Sequence, residues 1–214
     1  MPGVLMPGFG AVGPVWERGS SAGLAGPPIT GRYGTGRDVE IRAAAGLDTP
    51  RLRLTAIAED DAEEMAVVLS DPRLHEFIGG APLGALELRA QYRRWSAGSG
   101  NPDEQWLNWV VRLRATGEAI GFVQATVTRQ ASGRLAAEVA WVTGVPWQGR
   151  GFAAEAATAL VAWLARAGVV DVTACINPEH RASERVAERA GFTPTAVTFK
   201  GERVWRYCPP VPSQ

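Results

Sequence analysis

The chain has 214 residues, 46% of them hydrophobic and 21% charged, which is the size and composition of one globular domain with a sizeable core. Its 22 Lys and Arg balance 22 Asp and Glu, and this zero net charge argues against a nucleic-acid partner, which a basic excess would indicate. Two cysteines are too few for a disulfide framework, and no apolar run approaches the ~20 residues that span a bilayer, so we expect a cytoplasmic protein without a membrane partner.

Residues 1–47 hold 16 Gly or Pro and show no sustained helical or strand period. Such a segment buries too little apolar surface to offset the entropy lost on ordering. We therefore predict a flexible Gly/Pro-rich tail at 1–47 and one domain at 48–210. Within the tail, residues 8–13 (GFGAVG) match the dinucleotide pattern GxGxxG, but the strand and helix that give this pattern meaning are not predicted there.

From Thr49 the sequence becomes regular, and its elements are predicted from apolar periodicity, β-branched and aromatic content, and turn residues. In chain order they are a strand at 51–57, helices at 59–69 and 85–95, strands at 106–113, 119–128 and 135–142, a helix at 152–167, a strand at 170–176, a helix at 181–190, and strands at 195–200 and 203–207. Gly168 and Gly191 end helices, and Gly201 turns the last hairpin. Three consecutive strands favour antiparallel pairing, whereas strand–helix–strand passages favour parallel neighbours, so the order predicts a mixed α/β sheet.

One motif, at residues 148–153 (QGRGFA), lies between a predicted strand and a long predicted helix. Its glycines allow the backbone to approach a ligand closely. The first amides of a helix lack internal partners, and the helix dipole adds positive charge there. Together these features predict a pyrophosphate cradle, with Arg150 available for a charge contact. On this motif alone, an ordinary loop before an amphipathic helix is the alternative.

Residues 51–207 resemble the GNAT superfamily of acyl-CoA-dependent N-acyltransferases. The family signature [QR]xxGx[GA] opens the third helix, and Gln148, Gly151 and Ala153 occupy its defining positions. Further segments are similar to the branch that contains ribosomal-protein N-terminal acetyltransferases. They are 49–54 (TPRLRL), 138–142 (EVAWV), 151–156 (GFAAEA) and 178–192 (PEHRASERVAERAGF).

The resemblance implies a splayed central sheet with acetyl-CoA, as the acyl donor, in the V between the fourth and fifth predicted strands. The diphosphate would lie on the third helix and its loop, and pantetheine would pair with backbone near Trp141 and Val142 like an added strand. The implied cofactor residues are Trp141, Val142, Gln148, Gly149, Arg150, Gly151, Phe152, Ala153, His180 and Ser183.

Two positions depart from the family pattern. His180 stands where the family often has an Asn that holds the CoA arm, and an imidazole can still donate a hydrogen bond. Ala187 stands where many members have a Tyr that protonates the departing thiolate. Water, Ser183 or no acid at all could serve, because a thiolate with a pKa of ~8.5 is already a fair leaving group.

Glu138 is the candidate general base, because period two places it with Ala140 and Val142 on one face of the strand that leads to the motif. A solvated or salt-bridged strand glutamate is the alternative. Cys175, flanked by Ala174 and Ile176, fits a small core residue better than a nucleophile. With only His75 and His180 as histidines and no spaced ligands around them, we predict no metal site.

These observations predict an N-acetyltransferase in which a primary amine, such as a protein N-terminus, attacks acetyl-CoA directly in a ternary complex. The alternative is a silent GNAT domain that senses acyl-CoA. The acceptor would be a small molecule or a peptide amine, chosen by loops near 78–84 and by the Gly201 hairpin, and a homodimer is compatible with both. Among the tryptophans, Trp141 and Trp163 are predicted to lie in the core, whereas Trp95 and Trp106 are predicted to border the acceptor cleft.

Overall fold

Eight strands form one mixed sheet in the part of the chain that our computed structural model describes, residues 46–207. The GFGAVG motif and Cys208 lie outside these residues. The strands are β1 (Gly46–Asp48), β2 (Leu52–Ala56), β3 (Glu104–Leu113), β4 (Ala119–Arg129), β5 (Leu135–Thr143), β6 (Val169–Ile176), β7 (Phe192–Phe199) and β8 (Glu202–Tyr207). Their order across the sheet is β1-β2-β3-β4-β5-β6-β8-β7. The pair β5–β6 is parallel and the other neighbouring pairs are antiparallel, which confirms the predicted mixed α/β sheet.

Five α-helices cover the two faces of this sheet within the described range. They are α1 (Ala62–Val68), α2 (His75–Ile78), α3 (Ala85–Ala97), α4 (Phe152–Arg166) and α5 (Arg181–Arg189). One core cluster joins the sheet to α4 and α5, through residues such as Leu160, Leu164 and Ala187. A second cluster joins the opposite face to α1 and α3, through residues such as Met65 and Tyr92. The sheet is therefore the middle of three layers.

Two short elements, β1 and α2, were absent from the sequence prediction, and strand β7 starts three residues earlier than expected. Strand β1 begins two residues before the predicted domain boundary, and its Leu47 is only 9% exposed. Three residues for β1 and four for α2 are too few to show a period. Strand β7 begins at Phe192 rather than 195 because it lies at the sheet edge, where Pro194 removes no ladder bond that the sheet needs.

Helix α4 shows why the motif lies where it does. Its buried positions, including Phe152, Ala156, Leu160 and Leu164, recur every four residues and face the sheet. Gly151 precedes the helix with φ 80°, a left-handed conformation that favours glycine. No helix in the described residues is long and apolar enough to cross a membrane.

Strands β5 and β6 are paired for only part of their length. Their register runs from Leu135 opposite Val169 to Glu138 opposite Thr173, and it stops there. Beyond this point the residues of β6 continue to pair with β8 on their other side. The edge of β5 from Val139 to Thr143 therefore has no strand partner on the β6 side among the described residues. Because β1 precedes the first predicted strand, this split between β5 and β6 is the predicted V between the fourth and fifth strands.

Candidate active site

Glu138 is the last residue of β5 that is paired with β6, so its carboxylate lies at the branch of the V. Its side chain is partly exposed. Val142 is four residues further along β5, so its side chain lies on the same face as that of Glu138. Val142 packs in the cluster of α1 and α3, and Glu138 therefore lies on the face opposite α4. Helix α4, which follows the motif, thus lies on one face of the sheet, and the Glu138 carboxylate lies on the other. The open V between β5 and β6 connects the two faces.

The loop at 148–153 lies beside the unpaired end of β5, because Gln148 is bonded to the last residue of that strand. Gly149 and Gly151 have φ values of 73° and 80°. The first helical bond of α4 runs from the Glu155 N–H to the Gly151 carbonyl, and no side chain of the described residues caps this end. The N–H groups of Phe152, Ala153 and Ala154 therefore lack intrahelical acceptors and can bind an anion.

A set of hydrogen bonds that the sequence analysis missed, here called the brace, fixes this loop to the segment between β1 and β2. The Glu155 carboxylate accepts hydrogen bonds from the Thr49 hydroxyl at 2.6 Å, the Arg51 N–H at 2.9 Å and the Arg51 Nε at 2.6 Å. Arg51 also donates to the Arg150 carbonyl at 3.1 Å. The segments TPRLRL and GFAAEA, which both contributed to the family resemblance, are thus in direct contact.

The charge state of this brace follows from its surroundings. Burial alone would raise the pKa of Glu155, but the hydrogen bonds from Thr49 and Arg51, together with the guanidinium charge, outweigh it and lower that pKa. Glu155 is therefore ionised at neutral pH and holds Arg51 against the loop. A carboxylate in the first turn also favours the helix dipole.

The side chains of the motif divide between bracing and exposure. The Gln148 Nε2 donates to the Thr143 carbonyl at 2.9 Å and ties the loop to the end of β5. Phe152 is 5% exposed, and the guanidinium groups of Arg51 and Arg150 lie over its ring, at 4.6 and 4.9 Å from its centroid. Only the backbone of Phe152 is thus placed to meet a ligand, whereas Gly149 and Arg150 are exposed.

Trp141 and Val142 lie on the unpaired part of β5. The Trp141 ring is tilted against Phe192, with centroids 6.1 Å apart, and packs on the main core as predicted. Val142 is 8% exposed. Their side chains are occupied in packing, so what they offer to the V is the free backbone edge.

His180 and Ser183 lie at the start of α5, on the β6 side of the V. The His180 ring stacks on Phe77 of α2 with centroids 4.2 Å apart and planes 3° apart. Burial lowers the pKa of His180, and the Glu76 carboxylate opposes that shift only in part, so the imidazole is neutral at pH 7. Ser183 is partly buried, and its N–H donates to the His180 carbonyl at 3.0 Å. Nothing in the sequence pointed to Phe77, which is far from His180 along the chain.

No described tyrosine replaces the phenol that many family members have at the position of Ala187. Ala187 itself is fully buried in the main core. Tyr92 is 1% exposed in the second cluster, and burial raises the pKa of its hydroxyl. Tyr207 pairs with Val172, on the closed side of the branch.

Cys175 lies on the same face as Glu138 and is only partly exposed. Burial raises the pKa of its thiol to about 12, and the nearby carboxylates of Glu138 and Glu202 act in the same direction. A thiol with that pKa holds almost no thiolate at neutral pH and is a poor nucleophile. Glu202 is itself half-buried, and desolvation raises its pKa.

Replacing Cys175 with alanine is expected to change kcat/KM for acetyl transfer by less than about threefold, because the thiol is neither ionised nor needed for direct attack. The measurement is steady-state turnover with the purified variant. Alkylation of Cys175 in the native protein should also remain slow up to about pH 10, because the thiolate forms only near the raised pKa. A loss of activity beyond tenfold, with a trapped acetyl-cysteine, would contradict this view.

A cavity of about 680 Å³ lies beside β3 at the end of α3. Trp95 and Trp106 both line it, together with Glu104 and Asn108. The Trp106 Nε1 donates to the Glu104 carboxylate at 2.9 Å. Among the described residues, no group of three or more His, Cys, Asp or Glu side chains is arranged to hold a metal ion.

Solved structures with the same fold include three acetyltransferases or acetyltransferase domains. One is the acetyltransferase from Agrobacterium tumefaciens str. C58, with 26% identity, a TM-score of 0.57, and coverage of 81% of this chain and 99% of that one. A second is RimL, the ribosomal L7/L12 alpha-N-protein acetyltransferase in complex with coenzyme A, with 18% identity, a TM-score of 0.62, and coverage of 76% and 96%. A third is the GNAT domain of S. lividans PAT, with 21% identity, a TM-score of 0.59, and coverage of 78% and 99%.

Two comparisons by sequence complete the picture, and one of them finds a match. No curated protein matches this chain significantly. The profile of the family described as "Acetyltransferase (GNAT) domain" matches residues 51–193. Because that match covers more than half of the chain and the mixed sheet has the same fold as solved acetyltransferases, the protein is an acetyltransferase that belongs to the GNAT family.

Proposed function

We propose that the protein transfers the acetyl group of acetyl-CoA to a primary amine by direct attack within a ternary complex. The observation that carries this proposal is the position of Glu138. Pairing of β5 with β6 stops at this residue, so a carboxylate lies where the open edge of β5 meets the sheet face opposite α4, here called the acceptor face. We also propose that the protein acts in the cytoplasm, which supplies acetyl-CoA and in which Cys175 stays a free thiol.

The acetyl donor is proposed to lie along the V. The amides that open α4 and the Arg150 guanidinium would bind its diphosphate. The free edge of β5 near Trp141 and Val142 would pair with the pantetheine amides. The relative solved with coenzyme A supports this choice of cosubstrate. His180, neutral and stacked on Phe77, would donate a hydrogen bond to the CoA arm from the other wall of the V.

The reaction needs a neutral amine. An α-amine with a pKa of ~8 is partly neutral at pH 7, whereas a lysine amine at ~10.4 is almost fully charged. The nitrogen lone pair forms a bond to the thioester carbon, and the C–S bond of the tetrahedral intermediate then breaks. Glu138 takes the proton of the amine, directly or through a water molecule. The CoA thiolate leaves and is protonated by water or by Ser183, because Ala187 supplies no acid.

The test is release of the CoA thiol from acetyl-CoA in the presence of a panel of small amines and peptide N-termini. We expect turnover with at least one amine, and intersecting lines when both substrates are varied, as in a ternary complex. Parallel lines would indicate an acetyl-enzyme and contradict direct attack. Tight binding of acetyl-CoA without turnover on any amine would instead favour the acyl-CoA sensor.

A further inference from the structure

A cross-strand row of side chains leads away from Glu138 on the acceptor face. Glu138 lies opposite Thr126 on β4, and Thr126 lies opposite Trp106 on β3. All three side chains are partly exposed. Their neighbours along β4 on the same face, Gln124 and Thr128, are 7% and 5% exposed. The row of Trp106, Thr126 and Glu138, here called the acceptor track, is therefore an open path between buried positions.

The acceptor track ends at the cavity of about 680 Å³ that Trp106 and Trp95 line. Among the described residues that line it, Glu104 is the one charged residue, and none is Lys, Arg or His. The hydrogen bond from the Trp106 Nε1 holds one oxygen of the Glu104 carboxylate beside the indole, and no described residue bonds to the other oxygen. An indole face and a carboxylate both attract a cation, and together they disfavour an anion.

On the acceptor face, the charged side chains of β5, β6 and β8 agree with this preference. Glu138 and Glu202 add two carboxylates to the face, whereas Arg206, on the same face of β8, is paired with Asp171 at 3.1 Å.

We propose that the cavity beside Trp95 and Trp106 binds a second cationic group of the acceptor, so that the substrate is a dication rather than a simple amine. This inference rests on the proposed function, because the first nitrogen must reach Glu138. Two strand spacings separate Trp106 from Glu138, so the two nitrogens of the acceptor lie about 10 Å apart. Such a pair occurs in a long diamine and in a peptide whose α-amine is followed by a basic side chain.

The experiment compares acceptors that differ only in the second charge. Heptamethylenediamine has the required span and is compared with heptylamine; a peptide with Lys at its second position is compared with the same peptide carrying norleucine. We expect at least a tenfold higher kcat/KM for the dication in one of the pairs, and which pair shows it distinguishes a free diamine from a peptide. Equal values within both pairs would overturn the proposal.

Variants assign the preference to the cavity. Glu104→Gln should bring the ratio of dication to monocation close to one, and Trp106→Leu, which removes the indole face, should do the same if Glu104→Gln fails to fold. Asp103→Asn removes an exposed neighbouring carboxylate that does not line the cavity, and it should keep the native ratio. An unchanged ratio in Glu104→Gln would refute the assignment.

Binding separates this inference from the proposed function. Calorimetry of both acceptor pairs against the protein saturated with CoA needs no turnover. If no amine is acetylated, the proposed function fails, and tighter binding of the dication, weakened in Glu104→Gln, still supports the cavity as a cation site. Equal binding of dication and monocation would reject it even in an active enzyme.

Discussion

Replacing Glu138 with glutamine is expected to lower turnover near pH 7 about a hundredfold, the usual scale for loss of a general base. Glutamine keeps the size and reach of the side chain but cannot accept the proton of the attacking amine. The affinity for acetyl-CoA should stay within about threefold, because the lost step follows binding. Steady-state kinetics with both substrates varied measures the two effects separately.

The pH dependence of the Glu138→Gln variant distinguishes a base from a structural residue. The deficit should shrink as the pH rises toward the pKa of the amine, because solvent then supplies the neutral nucleophile that Glu138 would otherwise generate. A loss that is constant with pH would indicate a structural glutamate. Full activity would place the base elsewhere or in bulk water.

Glu202→Gln is a matched control for this prediction. Glu202 is a half-buried carboxylate on the same face of the sheet. It lies on β8, two strands from β5, and four residues along β8 from Arg206, the residue level with Glu138, so it is roughly 15 Å from the branch. Its removal should change kcat by only a few-fold. Equal hundredfold losses in both variants would show that the negative charge of the face matters rather than the position of one base.

Replacing Gly151 with valine is expected to weaken CoA binding by about a hundredfold or more. The native φ of 80° is costly for a β-branched residue, by roughly 1–3 kcal/mol, and the added side chain occupies the approach to the amides that open α4. A Cβ there would make only an ordinary van der Waals contact with the Arg51 guanidinium, at 3.5 Å, so the brace itself should survive. Calorimetry with CoA on the folded variant measures the effect.

Gly168→Val is a control variant for this prediction, because Gly168 has a similar positive φ but lies away from the proposed CoA site. It follows the other end of α4 with φ 86°, and a Cβ there meets no atom within 4 Å. Gly168→Val should therefore lower the melting temperature about as much as Gly151→Val, while CoA affinity stays within about twofold. Unchanged CoA affinity in Gly151→Val, or an equal loss in both variants, would remove the loop from the cofactor site.

The sequence alone predicted most of the secondary structure, because the relevant signals are local. Alternation along β2, the repeated burial positions of α4, and glycines 168, 191 and 201, each with φ between 86° and 89°, are properties of a few neighbouring residues. The family resemblance was equally local, and the match at residues 51–193 confirms it. Trp141 and Trp163 pack against the core as their positions in a strand and a helix predicted.

The site depended on contacts that no local pattern encodes. Strand β8 lies between β6 and β7 and pairs with β6 beyond the point where β6 leaves β5. The residue at which β5 and β6 separate is Glu138, and this places Glu138, rather than a neighbour, at the branch. The ring stack of Phe77 on His180 and the hydrogen bonds of Arg51 to the Glu155 carboxylate each join segments about 100 residues apart. Periodicity fixes which face a side chain takes, but distances between such faces follow from strand order and helix packing, which only the assembled sheet determines.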